Sequence, residues 1–160
     1  MEMWLNDETE DGFLGNLREP EKFIVTDSMW DVTPCLDVVE NEDIIERPNE
    51  TSTVTDAVGL LNLYEFQSSY HGIDSSNNIY LNNGTIWRTL TSRDDTHIHS
   101  IDSDGFIFSV TDAMIDDAYG IRPAINLKSS ISIVSGDGTK NNPYRLNGDN
   151  DANLTGTLLN

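Results

Sequence analysis

The chain has 160 residues, a length typical of one domain, and its 9 basic and 28 acidic residues give a formal net charge of -19. Such a charge repels phosphate backbones and anionic lipid headgroups, so nucleic acid and bare membrane are poor partners. Cys35 is the sole cysteine, which excludes an intrachain disulfide and a thiolate metal cluster. Apolar runs are too short to span a membrane and residues 1–4 do not resemble a signal peptide, so we expect any export signal to lie outside this chain.

The first third of the chain predicts a helix, a strand and a long loop. Apolar residues recur at helical spacing over 3–18 and predict a short helix, with a break near Gly12 as the alternative. We expect Pro20 to end this helix because its ring excludes the preceding residue from helical geometry. The aromatic and β-branched run 23–26 is typical of a strand. Residues 31–55 are acidic and contain two prolines, so a long surface loop is expected there, with at most one short element around 36–39. We expect this loop to be mobile; a functional loop is the alternative.

The middle of the chain predicts buried and half-buried elements. The apolar run 57–63 indicates a central strand that is buried on both sides. A short helix should follow, with Tyr64 and Phe66 packed inward. Residues 71–78 have the composition of a loop, whereas 85–91 alternate in polarity as a half-buried strand does.

Turn residues divide the next part of the chain into strands. The Asp-Gly pair at 104–105, between the apolar runs 98–101 and 106–110, predicts a β-hairpin. Residues 119–127 form another predicted strand, which Pro123 confines to an edge, an end or a bulge because proline cannot donate to a ladder.

We expect a single domain over residues 1–146. It should end on two short strands around a polar turn, the first at 131–135 and the second reaching Leu146. Residues 147–160 are dominated by Asn, Asp, Gly and Thr, so a flexible C-terminal tail is predicted there.

Seven short motifs follow one another along the chain. They are Trp-Leu-Asn at 4–6, Val-Gly-Leu-Leu at 58–61, Tyr-Leu-Asn-Asn-Gly at 80–84, Trp-Arg-Thr-Leu-Thr at 87–91, Tyr-Gly-Ile-Arg-Pro-Ala-Ile-Asn-Leu-Lys-Ser at 119–129, Gly-Asp-Gly-Thr at 136–139 and Asn-Pro-Tyr at 142–144. In this order they resemble a family of uncharacterised bacterial domains, found mostly in cell-surface, prepilin-like or phage-related proteins of low-GC Gram-positive bacteria (Firmicutes). The resemblance spans nearly the whole chain and is most specific at 120–127.

The resemblance implies an α+β, C-type-lectin-like fold, similar to that of formylglycine-generating and sulfatase-modifying proteins. In such a fold short helices pack on a small, twisted, mixed or antiparallel sheet with long loops. The chain departs from the family at 92–94, where Ser-Arg-Asp stands in place of a common proline. The enzyme branch of the superfamily uses a copper-binding pair of cysteines, which Cys35 alone cannot supply. The resemblance therefore implies a fold rather than an activity.

Two sets of polar residues have the composition of metal sites. His97 and His99 are two apart on a predicted strand and share a face with Asp95, a combination that zinc or nickel accepts; the alternative is an exposed strand edge. Further carboxylates occur in fragments of calcium loops. They are Asp102, Asp104 and Asp137. Calcium is thus the one cofactor that the chain suggests, although turn geometry explains the same Asp-Gly pairs.

A candidate ligand-binding surface lies in and around the predicted hairpin. Its members are Arg88, Arg93, Asp94, Asp95, His97, His99, Asp116 and Asp117. Trp and Arg side chains carry binding energy most often, but we expect Trp87 to lie in the core; a contribution to this surface is the alternative.

Four residues form a predicted structural frame: Trp87, Gly120, Arg122 and Pro123. Arg122 lies in an otherwise apolar strand, so we expect it to be partly buried. It would then need carboxylate or carbonyl partners and act as a structural clamp, the alternative being a ligand anchor.

The absence of any recognisable catalytic motif indicates that the chain is not an enzyme. We expect a display or adhesion domain that binds a glycan or protein through the loops between residues 92 and 117, outside the cell or on its surface; the cytoplasm is the alternative compartment. A pilin-like or phage-associated structural subunit, assembling with copies of itself or as part of a larger chain, is the second hypothesis. A divergent sulfatase-modifying enzyme is the third.

Overall fold

A computed structural model describes residues 2–36, 48–71, 81, 84–111, 119–139 and 141–147. Within these ranges the chain is α+β, as predicted. The helices are α1 (Glu2–Leu5), α2 (Pro20–Phe23) and α3 (Leu63–His71), with a 3₁₀ turn at Leu14–Asn16. The strands are β1 (Ser28–Asp31), β2 (Thr53–Asp56), β3 (Val58–Leu60), β4 (Trp87–Asp94), β5 (His97–Ile101), β6 (Ile107–Thr111), β7 (Pro123–Ile125), β8 (Ile133–Ser135) and β9 (Arg145–Leu146).

The described strands pair into small antiparallel sheets rather than one continuous sheet. Strands β4, β5 and β6 form a three-stranded sheet in that order. The pairs β1–β2, β3–β7 and β8–β9 are two-stranded. This arrangement confirms the α+β class, while the lectin-like fold stays a prediction.

The N-terminal helix predicted over 3–18 is wrong in extent. The Asp7 carboxylate accepts the N–H of Thr9 at 2.8 Å, which favours a turn over another helical residue. A Cβ on Gly12 would lie 2.2 Å from the Asp7 carbonyl oxygen, so the chain doubles back closely at this point. Pro20 begins α2 instead of ending a helix, because at the first helical position its missing N–H costs nothing.

The strand predicted at 23–26 and the loop predicted at 31–55 are also corrected. Helix α2 takes up Phe23, and the strand lies later, at β1, where Trp30 pairs with Val54 of β2. The two ends of the predicted loop are therefore joined in a β-ladder, because alternate residues of β1 are buried and require a partner strand. Residues 37–47 of that loop and the tail from 148 lie outside the described residues.

Two clusters of apolar side chains form the core. The first consists of Cys35, Leu63, Tyr64, Phe66, Trp87 and Ile101. The second consists of Leu5, Leu14, Ile24, Ala57, Val58 and Leu60. The inward packing predicted for Tyr64 and Phe66 is thus confirmed. Helix α3 is begun by a capping box, in which Asn62 and Glu65 accept each other's backbone N–H at 2.8 and 2.9 Å.

The run 57–63 is buried but is not a central strand. Among the described strands, β3 forms a ladder with β7 only. Towards β4, the backbone hydrogen bond runs from the N–H of Leu90 to the carbonyl of Leu61, just after β3 ends. Because Asn62 starts the capping box, the strand ends early. Pro123 lies at the first position of β7, opposite Leu60, as expected for a residue that cannot donate to the ladder.

The predicted hairpin is confirmed as β5–β6. Its turn uses Gly105 with φ of 93°, a backbone conformation that glycine adopts without steric cost. Strand β5 pairs regularly with β6 from His97↔Thr111 to Ile101↔Ile107, so alternate residues of β5 lie on the same face of the sheet.

Candidate functional site

The three-stranded sheet has one packed face and one partly open face. Trp87 and Ile101 are fully buried on the packed face, where the Trp87 ring meets Phe66 of α3 edge-on, 5.6 Å between centroids. Ser100 pairs with Arg88 of β4 on one side and with Phe108 of β6 on the other. Since residues directly opposite each other project to the same side, Arg88, Ser100 and Phe108 share the second face.

Arg88 is enclosed, and within the described residues it has no partner of opposite charge. The residue is 6% exposed, and its guanidinium carbon lies 5.4 Å from the centroid of the Tyr119 ring. Tyr119 in turn meets Phe108 edge-on at 6.4 Å. In a chain with 28 acidic residues, no carboxylate of the described residues pairs with Arg88. The hydroxyl of Ser100 is buried as well and has no hydrogen-bond partner within the described part of the chain.

Gly120 brings Tyr119 to this position. Its N–H donates to the Ile86 carbonyl at 2.7 Å and its carbonyl accepts the N–H of Arg88 at 3.1 Å. A Cβ on Gly120 would lie 3.1 Å from the Ile86 carbonyl oxygen, so a larger residue would push the two segments apart. Two residues later the Arg122 guanidinium lies 5.0 Å from the Trp87 ring centroid, so an aromatic face is a further partner of Arg122 besides the carboxylate or carbonyl that the sequence predicts.

The structure corrects the interpretation of His99. The residue is 1% exposed, so it is neither on an exposed strand edge nor available to a ligand. Its Nε2 lies 2.8 Å from the Cys35 carbonyl and therefore donates, while Nδ1 lies 3.1 Å from the Ser109 hydroxyl. Burial holds the pKa of His99 below its usual value, opposed in part by the hydrogen bond to Cys35. A neutral, hydrogen-bonded imidazole in this place is structural.

The turn between β4 and β5 brings together two more of the predicted ligand-binding residues. Asp94 accepts the N–H of Thr96 at 2.8 Å and lies 2.8 Å from His97 Nδ1. The hydrogen bond to His97, followed by those to Thr96, holds the pKa of Asp94 well below its usual value. Asp95, expected on the face of the histidines, is exposed in the turn instead. Arg93 is half-buried, and Asp116 and Asp117 lie outside the described residues.

The carboxylates considered for calcium act as turn residues. Asp102 accepts the N–H groups of Asp104 and Phe106, both at 2.8 Å. Asp137 accepts the N–H of Thr139 at 3.0 Å, and its hydrogen bonds, led by the one to the Thr139 side chain, lower its pKa. Groups of three or more His, Cys, Asp or Glu that could hold a metal are absent from the part of the chain that the structure describes.

An apolar cleft of about 380 Å³ opens between the β1–β2 hairpin and the three-stranded sheet. Its walls include Trp30, Val54, Leu60, Leu90 and Ile98. The indole of Trp30 is fixed by its hydrogen bond to the Asp56 carbonyl at 2.9 Å, and Gly59 lies against the ring, where a Cβ would come within 2.3 Å.

Sequence reasoning selected Arg88 but missed the cleft, Ser100 and Tyr119. A glycine within an apolar strand is the signal that could have indicated the close approach of Trp30. A serine between His99 and Ile101 in a hairpin strand is a weaker signal for Ser100.

We find no family model, curated protein or solved structure that matches this chain. Among the described residues, no helix has the length and apolar character needed to cross a membrane.

Proposed function

We propose that this chain is a non-enzymatic, C-type-lectin-like binding domain of a bacterial cell surface or phage-related particle, and that its ligand is a glycan or protein. The observation that carries the proposal is the apolar cleft beside Trp30. Ligand sites are concave, mostly apolar and lined by a few polar groups, and the lining of this cleft includes the polar residues Asp56 and Ser92.

The cleft and the enclosed arginine belong to the same surface. Ile98, which lines the cleft, and Ser100 are two residues apart on β5, so their side chains project to the same side. An extended ligand in the cleft would therefore reach Arg88 and the Tyr119 ring along one face of the sheet.

The test is binding of the full chain to a glycan array and to whole Gram-positive cells, repeated with Val54→Lys. Val54 is 37% exposed at the cleft wall, so a lysine there is tolerated by the fold and blocks the cleft. We expect at least tenfold weaker binding, on the order of 1.4 kcal/mol. Val134→Lys is the matched control, since Val134 is 60% exposed on β8, outside the cleft. A monomer that binds nothing, or equal effects of the two variants, would contradict the proposal.

A second candidate is the structural subunit, which the β8–β9 hairpin favours. All three residues of β8 are exposed, including Ile133 at 57%, and Tyr144 beside β9 is exposed to the same extent. Exposed neighbouring apolar residues on a two-stranded ribbon are typical of assembly surfaces. Size-exclusion chromatography decides between the candidates: oligomers that Val134→Lys dissociates would support a subunit, whereas a monomer would support the binding domain.

A further inference from the structure

We propose that Arg88 and Ser100 form a subsite for a carboxylate group of the ligand. The inference rests on the proposed binding function and deepens it, because it names the chemical group that the ligand presents. The subsite lies on the same sheet face as the cleft, with Tyr119 and Phe108 beside it.

First, the positive charge of Arg88 calls for an anion. A guanidinium withdrawn from water is costly unless an anion or hydrogen-bond acceptors replace the lost hydration. Here the residue is 6% exposed and its side chain has the Tyr119 ring as its partner, with no ion pair or hydrogen bond to any described residue. An anionic group from a ligand would supply the missing partner.

The second step concerns Ser100. Its hydroxyl is inaccessible to solvent and lacks a partner within the described ranges, although a buried hydroxyl normally has one. Ser100 is the ladder partner of Arg88, and side chains at such positions begin about 5 Å apart. One oxygen of a bound anion can therefore accept from the hydroxyl while the guanidinium donates to both oxygens.

The third step selects a carboxylate among anions. A carboxylate matches the planar fork of a guanidinium in a bidentate pair. The formal net charge of -19 repels a dianion about twice as strongly as a monoanion, which disfavours phosphate monoesters. A terminal sugar acid and a peptide C-terminus both present a carboxylate.

The experiment is an NMR titration of the full chain with two matched pairs of probes. Glucuronate is compared with glucose, and an acetylated dipeptide with a free C-terminus is compared with its amide. We expect each carboxylate that fits to bind at least tenfold more tightly than its neutral counterpart, with the largest shifts at residues 88, 100 and 119. The pair that shows the difference identifies the source of the carboxylate. Equal affinity within both pairs would overturn the proposal.

Substitutions test the two residues directly. Arg88→Met should abolish the preference for the charged probe, whereas Arg18→Met, which removes the same charge from an exposed position outside the sheet, should preserve it. Arg88→Lys keeps the charge without the fork and Ser100→Ala removes the hydroxyl at nearly the same volume, so each should weaken carboxylate binding about threefold or more. If Arg88→Met does not fold, these two milder variants decide the matter. Unchanged affinity in both would overturn the proposal.

The outcomes separate this inference from the proposed function. Cell or glycan binding that Val54→Lys abolishes, without any preference for carboxylates, would leave the binding function standing and remove the subsite. Binding of glucuronate that depends on Arg88, in a chain that binds neither cells nor glycans, would support the subsite and contradict the proposed binding function.

Discussion

The two faces of the β4–β5–β6 sheet differ in how completely their buried polar groups are hydrogen-bonded. On the packed face both ring nitrogens of His99 are hydrogen-bonded, and the Thr89 hydroxyl donates to the His99 carbonyl at 2.8 Å. On the partly open face the Arg88 guanidinium lies over the Tyr119 ring, and the Ser100 hydroxyl lacks such a partner within the described residues. Trp87 Nε1, which also lacks an acceptor there, is the exception on the packed face. Buried polar groups are normally satisfied, so the difference distinguishes a face built for stability from one that we assign to a ligand.

The largest expected effect is at the centre of the packed face. Trp87 is fully buried and its ring contacts both Phe66 and the Arg122 guanidinium, so Trp87→Ala should lower the free energy of unfolding by about 3–5 kcal/mol. Chemical denaturation measures the change, with Phe106→Ala, at a residue that is 46% exposed, as the control. A loss below about 1 kcal/mol would mean that this face is not the packed one.

The second-largest loss of stability is expected for His99→Ala. A histidine on an exposed strand edge would tolerate the change, but His99 is buried. The substitution leaves the Cys35 carbonyl and the Ser109 hydroxyl without their imidazole partner in a buried place, so a loss of about 1–3 kcal/mol is expected. His97→Ala, in the turn, should cost less. Equal costs in urea denaturation would contradict the assignment of His99 to the packed face.

The two arginines give the sharpest contrast between the faces. Arg122→Met removes the cation above Trp87 and should destabilise the chain by about 0.5–2 kcal/mol. Arg88→Met removes an enclosed charge that has no anionic partner among the described residues, so stability should change by less than about 1 kcal/mol or rise. Thermal unfolding of both variants makes the comparison. If Arg88→Met were the more damaging, Arg88 would be the structural clamp.

The smallest expected effect is on pH dependence. Burial lowers the pKa of folded His99 below the 6.5 of an exposed imidazole, so the unfolded chain binds a proton more readily between the two values. Stability should therefore be lost as the pH falls below 6.5, and the low pKa of Asp94 places its own contribution at more acidic pH. His99→Gln should flatten the dependence between pH 7 and 5.5 in urea denaturation, while His97→Gln should retain it. An unchanged slope in His99→Gln would show that His99 is not buried in its neutral form.

Local patterns were sufficient for some elements. The Asp-Gly turn of β5–β6, the inward packing of Tyr64 and Phe66, and the edge position of Pro123 follow from preferences of a few neighbouring residues. The helix predicted for the N-terminal segment is wrong in extent. Periodicity alone cannot rank a helical pattern against the Asp7 turn and the close packing of Gly12 that compete with it.

Local sequence patterns were enough to predict the α+β class, the β5–β6 hairpin and Arg88 as a candidate for binding. The tertiary structure alone decided that His99 is enclosed, that Arg88 lies over Tyr119, and that Trp30 forms one wall of a cleft. The physical reason is distance along the chain: a turn depends on adjacent residues, whereas the hydrogen bond from His99 to the Cys35 carbonyl joins positions 64 apart. Whether a polar side chain is satisfied, exposed or left for a ligand depends on such partners, which no local pattern specifies.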